Sequence, residues 1–145
     1  MDSYEKRTWW SRHRLTERLA DPLFLEAAIT AAFLIAAADG HASEEEYDAL
    51  LDRLEILGGV DRDRVDEVLT EAASELEASG FEPRIARVAE LINDKAAAEA
   101  AMMLGLAIGL ADDDFSTEER EIATQLATAL HVELELDKLL TEIRG

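Results

Sequence analysis

Two stretches of this chain repeat one chemical pattern. Residues 39–46 read Asp-Gly-His-Ala-Ser-Glu-Glu-Glu, and residues 112–119 read Asp-Asp-Asp-Phe-Ser-Thr-Glu-Glu. Each places an aspartate four positions before a serine and a glutamate three positions after it. Carboxylates at this density suit a hard cation, because calcium and magnesium take oxygen ligands. The candidate ligands are Asp39, Glu46, Asp112, Asp114 and Glu119. In the second stretch Asp112, Asp113, Asp114, Glu118 and Glu119 fall within eight residues. Such crowding is costly unless water or a cation offsets it. Neither stretch is an EF-hand loop: the position eleven after Asp39 is Leu50, and eleven after Asp112 is Ala123, where that loop needs a bidentate glutamate. No Glu-x-x-His pair of the ferritin-like di-iron type occurs.

The same residues have a purely structural use. Ser43 and Ser116 stand where helix N-caps belong, and Glu46 and Glu119, three positions on, complete capping boxes. Gly40 supplies the left-handed residue that ends the preceding helix. Glu44, Glu45 and Glu118 favour the positive end of the helix dipole. Asp39 and Asp112 sit near helix C-termini, where that dipole disfavours anions. They either ligate a cation or accept backbone N–H groups of the next helix.

The elements that position these corners read as helices throughout. Apolar residues recur at helical spacing, and no alternating strand pattern is visible. Helices are expected near 4–19, 22–38, 44–57, 62–78, 83–93, 95–111, 117–130 and 135–144. Gly58 and Gly59 end the third, and Gly80 ends the fourth. Pro83 fits the first turn of the fifth, where its missing N–H costs nothing, and Asp94 can cap the sixth. The second helix (PLFLEAAITAAFLIAAA) and the sixth (AAAEAAMMLGLAIGLA) are apolar almost all round, with one carboxylate each, Glu26 and Glu99. Their uncharged stretches, 27–38 and 100–111, are twelve residues long, short of the roughly 17–25 that span a bilayer. They are therefore expected at the centre of a bundle. Ala100, Ala101, Gly105, Ala107 and Gly109 would let a second helix approach closely, and Met102 and Met103 are expected in the core.

A shift of 73 residues lays Glu26 on Glu99, Ile35 on Ile108, Asp39 on Asp112, Ser43 on Ser116, Glu46 on Glu119 and Leu57 on Leu130. Further on, DEVLTEA (66–72) falls on DKLLTEI (137–143) after a two-residue slip. Such a series points to an internal repeat. The expected fold class is all-α: a single-domain bundle of about seven or eight helices with a pseudo-two-fold helical-hairpin repeat. Its halves cover about 22–80 and 95–145, behind a basic and aromatic N-terminal helix at 1–21.

Bulk composition narrows the function. The chain has 145 residues and no cysteine, which excludes disulfides, zinc–thiolate sites and cysteine nucleophiles. Its net charge is −19: residues 1–18 carry +2, and the remaining 127 carry −21. A body so acidic repels nucleic acid and attracts cations and basic partners. The segment YEKRTWWSRHRLTER (4–18) mixes Tyr4, Trp9 and Trp10 with five bases. It either lies on an anionic membrane surface or packs Trp9, Trp10, Leu15 and Leu19 on the acidic body. His13, His41 and His131 form no catalytic constellation with the carboxylates. No Ser-His-Asp order or phosphate loop is present. Without a secretory signal or a transmembrane segment, the expected compartment is the cytoplasm, with room for a peripheral position at the inner membrane face. A homodimer is compatible with the bundle.

The stretches FLEAAITAAFLIAAADGHASEEEYDAL, GFEPRIARVAELI and AAAEAAMMLGLAIGLADDDFSTEEREIATQLATALHVE together resemble the tellurite-resistance TerB family, from about Leu23 to the C-terminus. The resemblance implies an all-helical fold with a pseudo-repeat and no established enzymatic activity. It also implies a link to tellurite and other stress responses, in complexes with TerC-like membrane proteins and calcium-binding TerD-like proteins. The family's most recognisable residues fall on Asp39, Gly40, Glu45 and Glu46, then on Asp112, Glu118 and Glu119. Asp113 stands where the second glycine is usual.

Two functions from different classes follow. One is a non-catalytic acidic helical module that docks a basic or membrane-associated partner, tuned by Ca2+ or Mg2+. The other is a metal-dependent enzyme, in which Asp39, Glu46, Asp112 and Glu119 converge on two metals about 3.5–4 Å apart. A tellurite binder is disfavoured, because the body charge would repel the anion.

Overall fold

A computed structural model describes residues 15–18, 20–38, 48, 52, 61–92, 94–109 and 116–132. Its elements are the single turn α1 (Leu15–Arg18), then α2 (Pro22–Ala36), α3 (Arg62–Ser79), α4 (Phe81–Leu91), α5 (Lys95–Gly109) and α6 (Thr117–Ala129). Among the described residues there is no strand. The fold is all-α. The expected helices near 44–57 and 135–144 lie outside the described residues, apart from Asp48 and Asp52, both helical and exposed.

α2, α3, α5 and α6 each begin where a short polar side chain takes up a free N–H. Asp21 accepts from Leu23 N at 2.9 Å, with Pro22 at the first helical position. Asp61 accepts from Asp63 N at 3.0 Å, and Asp94 accepts from Ala97 N at 3.3 Å, as its position predicts. Gly80 ends α3 with φ 81°. A left-handed turn of that kind suits glycine. Gly80 is the whole connection, and α4 starts at Phe81, two residues earlier than the sequence suggests. Pro83 is therefore third in α4, still inside the turn whose N–H groups have no intrahelical acceptor.

α2 occupies the centre. Phe24, Leu25 and every residue from Ala27 to Ile35 are buried. A helix apolar on all faces needs neighbours on all faces, and α2 packs against α3, α4, α5 and α6, most extensively against α5. In α5, Ala98, Ala100, Ala101, Met102, Met103, Leu104 and Leu106 are buried, so both methionines are core residues. Gly105 makes the close approach: a Cβ there would stand 3.2 Å from Ala31 Cβ. The outer helices are amphipathic. Val65, Val68, Leu69 and Ala72 of α3 face inward, as do Ile85 and Val88 of α4 and Ile122, Ala123, Leu126 and Ala127 of α6.

Ion pairs tie the outer helices together. Arg84 of α4 pairs with Glu75 of α3, and Arg18 of α1 reaches Asp94 at 3.9 Å. The Arg84 Nε is buried without a hydrogen-bond partner.

The end of α6 holds a feature the sequence did not reveal. Val132 N donates to Ala127 O at 2.9 Å and His131 N to Thr128 O at 3.2 Å, the two bonds of a Schellman cap. His131 occupies the left-handed position with φ 59° and is exposed. An L side chain there carries a cost of roughly 1–2 kcal/mol that glycine avoids. His131→Gly is expected to raise stability by about 1 kcal/mol, read as a higher urea midpoint at unchanged slope.

Candidate functional site

The second acidic corner is visible at its helix-entry side. Ser116 adopts an extended conformation, φ −68° and ψ 163°, before α6. Its Oγ accepts from Glu119 N at 3.0 Å, and Glu119 Oε1 accepts from Ser116 N at 2.9 Å. The capping box expected from Ser-x-x-Glu is complete. It occupies Oε1 of Glu119, one of the five carboxylates considered for a metal. Glu118 and Glu119 also place two negative charges in the first turn, where the dipole favours them. Ser116→Ala is expected to lower stability by about 1 kcal/mol; thermal unfolding by circular dichroism reads it as a drop of a few degrees.

The remaining candidate residues, Asp39, Gly40, Ser43, Glu46, Asp112 and Asp114, lie outside the described residues. Among the described residues no group of three or more His, Asp or Glu side chains could hold a metal ion.

Glu26, the lone carboxylate of α2, has a defined environment. Its Oε2 accepts from Arg87 Nε at 3.1 Å and its Oε1 from an Arg64 guanidinium nitrogen at 3.5 Å. The carboxylate is mostly buried, at 14% exposure, whereas the two arginines remain 37% and 40% exposed. Arg64 and Arg87 also reach Glu67 and Glu90, each three residues further along its own helix. A chain of five alternating charges thus runs from α3 across α2 to α4. The buried acid is matched, which is the condition for burying one at all. Sequence reasoning singled out Glu26 but not its partners. The available signal was the concentration of arginine on 62–64 and 84–87 in an otherwise acidic body.

A second feature is a groove between α4 and α6, about 360 Å3 in volume and open to solvent. Glu82, Ile85 and Ala86 form one wall, and Thr124, Gln125 and Thr128 line the other. Both threonine hydroxyls are turned back on their own helix: Thr124 Oγ1 donates to Arg120 O at 2.8 Å and Thr128 Oγ1 to Thr124 O at 2.9 Å.

No described helix is long and apolar enough to cross a membrane. A protein-family profile described as Tellurite resistance protein TerB matches residues 25–135, about three quarters of the chain. The chain is a member of the TerB family. No curated protein and no solved structure shows significant similarity to it. In this TerB chain the matched span takes in α2 from Leu25 onward, α3 to α6, both acidic corners, the Glu26 charge chain and the groove. The basic and aromatic residues 4–18 precede it.

Proposed function

We propose that this TerB chain is a non-catalytic acidic interaction module of the tellurite-resistance and stress response, which docks a basic or membrane-associated partner of the TerC or TerD type. The observation that carries this reading is the distribution of charge on a helix matched by the family. α3 exposes Asp61, Asp63, Asp66, Glu67, Glu71 and Glu77 around it or at its cap, against Arg62 as an exposed base and the part-buried Arg64, which is held by Glu26 and Glu67. This helix therefore presents an excess of negative charge to solvent, one part of the −21 carried by residues 19–145, and it draws cationic partners over a range set by ionic strength. Binding assays with TerC-like and TerD-like proteins test the module directly. Association that weakens steeply with salt is expected; no association at low salt would reject it.

The pseudo-two-fold repeat belongs to the same reading. The 73-residue shift pairs Ala32 with Gly105, and these two positions meet: the Gly105 Cβ would lie 3.5 Å from Ala32 N. Residues related by a two-fold axis touch each other where the axis passes. This contact supports an axis between α2 and α5.

A divalent cation at the corners is the second part of the reading. The five carboxylates between Asp112 and Glu119 support it, because a cation offsets their mutual repulsion. Calcium and magnesium titrations followed by calorimetry and melting temperature are the test. Calcium is expected to raise the melting temperature, and Asp39→Asn and Asp112→Asn to diminish that rise. No shift at millimolar calcium would leave these residues as caps only.

A further inference from the structure

We propose that the groove between α4 and α6 is the seat for a cationic amphipathic helix of a partner protein. The inference rests on the reading of the chain as an interaction module, and it assigns that module a surface.

The floor of the groove is apolar and carries little desolvation cost. Ile85 is buried at its base, and Ala86 is exposed on its wall. Thr124 and Thr128 would ordinarily bring two hydroxyls that need water. Here both are satisfied by carbonyls of α6, which leaves their methyl groups as the surface they offer. An apolar side chain entering the groove therefore strands neither hydroxyl. The depression, about 360 Å3 in volume and open to solvent, lets apolar anchors of a docked helix press against it.

The surroundings select the charge of the occupant. Glu82 stands in the groove wall, and none of the lining residues is basic. On α6, Glu121 lies one turn before Gln125 and is exposed, and Glu118 is exposed at the start of the same helix. Arg120 is the exposed base of α6, and Arg87 on α4 is held by Glu26 and Glu90. Apolar anchors flanked by lysine or arginine match this arrangement, whereas an acidic helix would meet like charge.

The test uses the full chain and a fluorescein-labelled synthetic leucine–lysine helix of about 18 residues, five turns, with its leucines on one face. The control peptide has the same composition with leucines spread around the helix. Binding is read by fluorescence anisotropy, and melting temperature checks that each variant folds. The amphipathic peptide is expected to bind more tightly than the control. Ala86→Lys and Thr128→Lys are each expected to weaken its binding by about tenfold or more. Ser74→Lys, an equal charge change at an exposed position of α3, should leave it within about twofold. Equal weakening by Ser74→Lys, or equal binding of the two peptides, would show attraction by net charge alone. That outcome overturns the groove assignment and leaves the interaction module standing. Self-association abolished by Ala86→Lys, with no peptide bound, would give the groove to a second copy and overturn it equally. Loss of peptide binding together with failure of the TerC-like and TerD-like assays would reject both.

Discussion

Phe33→Ala is expected to destabilise the protein by about 3–5 kcal/mol, a large fraction of the about 5–15 kcal/mol that holds an ordinary domain together. Phe33 lies on α2 and is 1% exposed. Its neighbours Ile29, Leu34 and Ile35 on the same helix are also fully buried. α2 contacts four other helices, so the cavity has no flexible wall that could collapse into it. The penalty thus combines the lost transfer free energy with an unrelaxed void. Urea denaturation measures it as a lower midpoint. A loss below about 1 kcal/mol would mean that the site collapses freely, and α2 would then not be the packed centre described above.

Gly105→Leu is the second large effect, and it works in the opposite sense, by overfilling. The α2–α5 contact is close enough that a single Cβ at Gly105 would stand 3.2 Å from Ala31 Cβ. A branched side chain adds three further carbons where neither helix has space. Overpacking of a well-filled contact costs about 1–3 kcal/mol, occasionally more, and the upper end is expected here because the obstructing atoms are Ala31 and the Ala32 backbone. Gly105→Ala provides the comparison. Its Cβ is crowded by a few tenths of an ångström, but alanine gains about 1 kcal/mol of helix propensity over glycine. The two terms nearly cancel, so Gly105→Ala should stay within about 1 kcal/mol of the parent. A leucine variant as stable as the alanine variant would mean that α2 and α5 separate at little cost.

Much of the helical framework was legible in the residues. Asp94, Ser116 and Gly80 act locally, through hydrogen bonds and backbone conformations that span only a few residues, so their roles could be read from spacing. The same holds for α2 and α5. A segment with no polar face must be surrounded whatever the topology, and this predicted the burial of Met102 and Met103 as well. The start of α4 was misplaced by two residues because Pro83 suggested a first position, whereas Gly80 alone turns the chain. His131 carried no conformational expectation from the sequence. Its left-handed conformation follows from the closing bonds of α6, and no composition signal marks a histidine for that position.

The functional surface was less legible. The acidic corners drew attention because charge density is visible in one dimension. Of the five candidate ligands, Glu119 is described, and its Oε1 is engaged by the capping box. The Glu26 charge chain and the α4–α6 groove were not foreseen. Arg64 and Arg87 lie 38 and 61 residues from Glu26, and Ala86 and Thr128 line one groove only because two helices pack side by side. Sequence alone determined where α2, α3, α5 and α6 start, which helices are apolar on every face, and how strongly anionic the body is, since short-range geometry and composition govern those properties. Only the tertiary structure decided that Gly105 meets Ala31, that two arginines neutralise Glu26, and that an apolar cleft with silenced hydroxyls opens on the surface. Those outcomes depend on distances between residues far apart in the chain, which helix packing sets and local pattern does not encode.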